Sequence, residues 1–178
     1  MKNTNYIKSI RSKKRKKANN FIFEKISKII LDSVDLIKDD FNNILEIGIN
    51  EDYTFENLYS RYNKAKFLRS DISNSRFNGD KRYSFLCMDI DEWEINHNSY
   101  DLIYSNCYSH ITNDFFKTLK NIKESLKVNG FLIIAIPDKK NLYQIYNSMI
   151  KADLENYNGI FQRFNPVFEI EEILTYLK

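Results

Sequence analysis

The sequence predicts an α/β fold, a doubly wound parallel sheet with helices on both faces. Three observations lead there. Short apolar runs alternate with segments of helical periodicity, the pattern of strands joined by helical crossovers. Three of those runs end on a carboxylate or lead directly into one, at Glu46, Asp71 and Asp89, with a helix-length or loop-length gap between them. Ligands of an open α/β sheet bind in the crevice beyond the C-terminal strand ends, so acids placed there face a ligand. An ionised carboxylate only accepts hydrogen bonds, which suits the hydroxyls of a ribose and the amino edge of a base.

The elements follow in order. Residues 1–17 form a basic arm: eight of the 27 Lys and Arg residues lie in the first 20 positions, with no acid among them, so the rest of the chain is net acidic. The arm reads as a solvated helix start or frayed terminus. Contact with nucleic acid or another anionic surface is a second reading, and an organelle presequence a third. The consecutive cations Lys13, Lys14, Arg15, Lys16 and Lys17 make a poor amphipathic face for the third. Residues 18–38 place Phe21, Ile22, Ile26, Ile29, Ile30, Val34 and Ile37 at helical spacing.

Residues 43–47 are the first strand. Asp52 or Thr54 then caps a helix running to about Tyr62. Strands are expected at 66–70 and 83–88, separated by a short polar helix or loop over 73–81. A fourth strand is expected at 101–105. A helix over 113–126 starts at Asn113 or Asp114 and ends in the left-handed stop Asn129-Gly130. Residues 131–136 are a fully apolar fifth strand closed by Pro137. The chain thus divides into the arm (1–17), an α/β domain with its N-terminal helix (18–137) and a partial helical extension (138–178), with a helix over 170–177.

Composition agrees. At 178 residues, 43% hydrophobic and 29% charged, the chain suits one modest domain. Aromatics at 15% with four Gly and two Pro argue against disorder. Cys87 and Cys107 lack CxxC spacing and read as buried reduced thiols of a reducing compartment, so a cytoplasmic location is expected. Nothing approaches the roughly 20 apolar residues of a membrane span. The only histidines, His97 and His110, form no metal-ligand spacing, and no metal is expected.

Four segments together carry a family resemblance: Ile44-Leu45-Glu46-Ile47-Gly48, Ser70-Asp71-Ile72-Ser73, Cys87-Met88-Asp89, and Tyr100-Asp101-Leu102-Ile103-Tyr104-Ser105-Asn106. Leu126-Lys127-Val128-Asn129-Gly130 is similar to an "LKPGG" turn. Over about residues 41–137 the chain resembles class I S-adenosylmethionine-dependent methyltransferases of the type 11 group, with their Rossmann-like fold. A narrower likeness reaches the complex I assembly-factor methyltransferases of mitochondria and alphaproteobacteria. It rests on Arg11–Lys17 followed by Phe21 and a long helix, on Ser105-Asn106 with His110-Ile111-Thr112-Asn113-Asp114 where that group writes "SNxxLHWVND", and on residues 158–170. The biotin-pathway carrier-protein methyltransferases are a more distant likeness.

Two departures stand out. The family's "ExGxGxG" loop reads Glu46-Ile47-Gly48-Ile49-Asn50-Glu51-Asp52, with one glycine kept. Asn50 tolerates positive φ, but Ile49 and Glu51 narrow and charge the pocket. Complete members also carry a final antiparallel hairpin that these residues lack, so a shortened relative or a fragment is expected. That leaves the fifth strand as an edge for a second copy or a partner protein.

The resemblance implies S-adenosylmethionine as cofactor and assigns roles residue by residue. Glu46 and the backbone at Gly48, Ile49 and Asn50 meet its amino-acid end. Asp71 accepts from the ribose hydroxyls, with Ile72 on the adenine. Asp89 accepts from the adenine amino group, with Met88 and Ile90 flanking the ring. Ser105 and Asn106 lie where cofactor and acceptor meet. His110 reads as a satisfied loop histidine, with a general base as the other reading. Methyl transfer needs mainly in-line positioning, so no catalytic residue is assigned. The expected function is methyl transfer to a protein or small-molecule acid. The alternatives are a cofactor-deficient partner or assembly protein, and a protein-arginine hydroxylase of the assembly-factor type. Nucleic acid is not an expected partner.

Overall fold

The structure is a computed structural model that describes residues 3–13, 21–94, 96–138, 140–141, 143–161 and 168–177. It falls into two compact units, Met1–Ile136 and Pro137–Lys178. Five strands form one sheet in the first unit: β1 (Asn43–Ile47), β2 (Lys66–Asp71), β3 (Ser84–Cys87), β4 (Tyr100–Asn106) and β5 (Leu126–Ala135). Their order is β3-β2-β1-β4-β5 and every pairing is parallel, so the expected doubly wound sheet is present.

The order reverses between β1 and β4, the switch point beyond whose strand ends sheets of this kind bind ligands. Alternate residues of each strand face opposite layers. Ile44, Phe67, Leu102 and Tyr104 pack with Ile30, Leu31 and Val34 of α2 (Phe21–Asp35) and with Phe55 and Leu58 of α3 (Tyr53–Arg61). Leu45, Ile47 and Ile103 pack on the other side with Ile122 of α4 (Phe115–Ser125), Trp93 and Tyr108. Burying both faces is what makes β1 apolar at Ile44, Leu45 and Ile47.

Local chemistry sets the helix starts. Asp114 caps α4 by accepting from the Lys117 amide at 2.9 Å, one of the two candidates read from sequence. For α3 Asp52 holds the cap position, but its side chain makes no capping bond. Glu51 instead accepts from the Tyr53 amide, and from the Thr54 hydroxyl at 2.8 Å.

Several expectations are corrected. Part of the basic arm is a helix, α1 (Thr4–Ser12), as one of its readings had it, but Arg11 is buried rather than solvated; residues 14–17 lie outside the described residues. Asn129 does adopt φ +63°, but within β5 and not as a helix stop. The α4 helix ends at Ser125, with Leu126 already extended. β5 begins there and bulges, Leu126 pairing with Tyr100 and Phe131 with Leu102. Both cysteines are free, but Cys87 is exposed rather than buried.

The second unit holds α5 (Tyr143–Tyr157) and α6 (Ile170–Leu177). The carboxylate of Asp153, buried in α5, accepts from the Phe161 amide at 3.2 Å. The stretch at 158–170 that carried part of the narrower likeness lies partly outside the described residues, at 162–167. Among the described residues no helix is long and apolar enough to cross a membrane.

Candidate functional site

The strand ends assemble the residues singled out from the sequence. At the end of β1, Gly48 turns the chain at φ +82°, and its amide donates to the Ser70 carbonyl of β2 at 2.8 Å. A Cβ at this position would lie 2.0 Å from the Tyr108 ring. Glycine is therefore required twice, for the left-handed backbone and for the close approach.

Asp71 is 1% exposed at the end of β2. Its carboxylate accepts from the amides of Ile49 (3.0 Å) and Ser73 (3.1 Å). Asp89 accepts from the Asp91 amide at 3.2 Å at the start of a 3₁₀ turn. Ile72 and Ile90 are buried beside these two acids in sequence, and Met88 is half-buried.

The β4 end is a knot of hydrogen bonds. Ser105 donates to the Ile47 carbonyl at 2.8 Å and accepts from the Ser109 amide at 3.2 Å. The Asn106 amide group donates to Phe23 O (3.1 Å) and Ser27 Oγ (2.9 Å), which ties β4 to α2. Asn50 donates to the Asn106 carbonyl at 2.5 Å. Among the described residues, Asn106 Oδ1, Ser109 Oγ, His110 Nδ1 and Thr112 Oγ1 are buried without a hydrogen-bond partner. Such atoms are costly unless something occupies them, so this loop offers polar groups to a ligand. Burial lowers His110 to about 4, which leaves its imidazole neutral near pH 7.

Glu46 is placed differently. It sits on the α3 side of the sheet, 2% exposed, with its carboxylate on the Arg69 guanidinium. The structure therefore brings Gly48, Ile49, Asn50, Asp71, Asp89, Ser105 and Asn106 to the strand ends and pairs Glu46 inside the core.

Reading the sequence alone missed three participants. Arg11 of α1 donates through Nε to Asp71 Oδ1 at 3.1 Å and pairs with Asp71 Oδ2 through Nη2. It also donates to Asn50 Oδ1 (2.8 Å) and to the Ile49 carbonyl (2.9 Å). Thr4 of the same helix donates to Asp89 Oδ2 at 3.1 Å. Tyr108 lies under the guanidinium, 4.7 Å from Arg11 Cζ to the ring centroid. The seven-residue interval from Thr4 to Arg11, two helical turns, was the available signal, but nothing local said which acids it meets. Among the described residues no cluster of His, Cys, Asp and Glu is placed to hold a metal.

A family model described as "Methyltransferase domain" matches residues 63–177, and the chain belongs to that family. Over 116 residues it is 32% identical to the malonyl-[acyl-carrier protein] O-methyltransferase of Acetivibrio thermocellus, covering 61% of this chain and 40% of that protein. Over 157 residues it is 26% identical to the mitochondrial arginine-hydroxylase NDUFAF5 of Danio rerio, covering 86% of this chain and 49% of that protein. The chain spans about half the length of the curated relatives it matches. A Haemonchus contortus N-methyltransferase solved with phosphomonomethylethanolamine and S-adenosylhomocysteine superposes with a TM-score of 0.61 at 19% identity, covering 85% of this chain and 35% of that one. YcgJ of Bacillus subtilis gives 0.60 at 12% identity, covering 83% and 64%. At these identities the structural likeness establishes the α/β methyltransferase fold.

Proposed function

We propose that this chain binds S-adenosylmethionine at the C-terminal edge of its sheet and takes part in methyl transfer to an acid or protein acceptor. The observation that carries this reading is the pair Asp71 and Asp89, on neighbouring strand ends beside the tight turn at Gly48. Two acceptors at that spacing match a nucleoside, which presents hydroxyl donors at its sugar and an amino donor at its base. Asp71 would hold the ribose and Asp89 the adenine edge, with Ile72, Met88 and Ile90 as apolar flanks. The backbone of Gly48, Ile49 and Asn50 would meet the amino-acid end. S-adenosylmethionine supplies an electrophilic methyl group. The chain's own residues position it and exclude water, so no acid–base residue is required.

The malonyl relatives support a carboxylate carried on an acyl-carrier protein as acceptor class. The wider coverage by arginine-hydroxylase relatives favours a second reading, hydroxylation of a protein arginine, for which an external oxidant such as dioxygen would supply the oxygen atom. Calorimetric titration with S-adenosylhomocysteine tests the cofactor. Saturable binding is expected, and absence of heat at millimolar ligand in wild type and in Arg11→Ala alike would remove both enzyme readings in favour of a cofactor-free partner protein. Mass spectrometry of an incubated acceptor then separates them, about +14 Da for a methyl group against about +16 Da for a hydroxyl oxygen.

A further inference from the structure

Both acids that a nucleoside would meet are engaged by one helix of the same chain. Arg11 and Thr4 lie two turns apart on α1, about 10 Å along its axis. Arg11 spreads its guanidinium over Asp71, Asn50 Oδ1 and the Ile49 carbonyl. Thr4 donates its hydroxyl to Asp89. Every one of these contacts is a donor meeting an acceptor at the strand ends. A bound nucleoside would place the same kind of donor on the same two carboxylates.

Tyr108 extends the match. Its ring fills the space above Gly48 and carries the Arg11 guanidinium on its face. The backbone corner where the amino-acid end of the cofactor would approach is covered by this ring.

We infer that α1 is an autoinhibitory occupant of the nucleoside site, a helix the cofactor must displace. The inference rests on the cofactor reading above. A buried arginine with its donors paired is a strong anchor, because withdrawing it leaves the Asp71 carboxylate buried without a counter-charge. The anchor is also narrow. Arg11 is the only buried residue of the nine in α1. A nine-residue helix is marginal once undocked, so release would unfold it. Cofactor affinity is then reduced by the fraction of molecules in which α1 is docked, and binding reports itself at the N-terminal segment.

The test is calorimetric titration of S-adenosylhomocysteine into wild type, Arg11→Ala and Thr4→Val, with hydrogen exchange of residues 4–12 followed in wild type. The expected result is tighter binding by about tenfold or more in Arg11→Ala and by a few-fold in Thr4→Val. Amides of residues 4–12 should exchange faster at saturating ligand. Thr4→Val leaves the Arg11–Asp71 pair intact and the exchange measurement needs no variant, so misfolding of Arg11→Ala does not protect the inference. Equal or weaker binding in the variants, or slower exchange as the helix closes over ligand, overturns it while the cofactor reading stands. Absence of binding in wild type and both variants overturns the two together. Binding seen only in the variants is the strongest support.

Discussion

Glu46 and Arg69 are register partners on adjacent parallel strands, and their side chains meet with 3% and 1% of their surface exposed. Arg69 also reaches Asp52 at 2.7 Å and the Glu51 carbonyl at 3.1 Å, and stacks on Phe55 and Tyr83 at 4.5 and 4.9 Å. The pair therefore welds β1, β2 and the start of α3 together beneath the crevice. Desolvation opposes the Arg69 charge most strongly, but Glu46, Tyr104 and Asp52 together outweigh it and hold the guanidinium protonated.

Breaking this pair from one side should be expensive. Arg69→Met leaves Glu46 buried without a counter-ion, and a loss of about 3–5 kcal/mol is expected in urea denaturation. The double variant Arg69→Met with Glu46→Gln should recover part of that loss, since no unpaired charge remains.

Glu46 and His110 should tilt the pH dependence of stability in opposite directions. Burial pushes the Glu46 carboxyl from 4.5 up to about 7, with Arg69 pulling against the rise. Its contribution is present below pH 4.5 and is lost as pH rises through about 7. Burial lowers His110 from 6.5 to about 4, so its contribution is present above pH 6.5 and is lost as pH falls through about 4. Relative to wild type, Glu46→Gln should steepen the rise of stability with pH across this window, and His110→Asn should flatten it. Denaturation midpoints measured at several pH values between these limits check both signs.

Gly48→Ala should destabilise the chain by at least about 1–3 kcal/mol from backbone strain alone. The added methyl also meets the Tyr108 ring at 2.0 Å. Thermal melting of Gly48→Ala, Tyr108→Gly and the double variant separates the causes, since an alanine at 108 would keep the Cβ that lies 2.3 Å from the added methyl. The second substitution should return the clash part and leave the φ part.

Asp71→Ala should weaken S-adenosylhomocysteine binding by about 1–3 kcal/mol, the cost of losing hydrogen bonds to a charged acceptor. The full effect is expected in the Arg11→Ala background. In wild type the same substitution also frees Arg11, which offsets part of the loss. Calorimetry on the four proteins of this cycle measures the difference.

Among the described residues β5 pairs only with β4, so one edge of a ten-residue strand has no strand beside it. Its apolar stretch from Phe131 to Ala135 favours pairing with another copy. Sedimentation at low micromolar concentration is expected to show a dimer, with Leu132, Ile134 and Ile136 near the contact. A stable monomer there rules this out.

Residues 43–47 could be read as a strand because nearly every side chain in them is buried, and that burial selects apolar residues at Ile44, Leu45 and Ile47. The acids Asp71 and Asp89 were legible for a related reason: they follow such runs directly, so strand limits place them at the crevice. The helix 170–177 was expected from the family's order of elements, and its apolar residues do recur at helical spacing. Where two local signals competed, reading from sequence failed. Asn129 has the left-handed backbone expected of it, but bulging inside β5 rather than stopping α4.

By itself, then, the sequence determined the parallel sheet, the acids at its edge and the tight turn at Gly48, because each depends on composition within a few residues. Only the tertiary structure decided what those acids touch. Arg11 and Asp71 are 60 positions apart, and Arg69 and Glu46 are 23 apart. An acid is an acceptor wherever the chain puts it, but its partner is the donor the fold brings within about 3 Å. For Glu46 that donor is the core arginine Arg69, and for Asp71 it is the chain's own N-terminal helix.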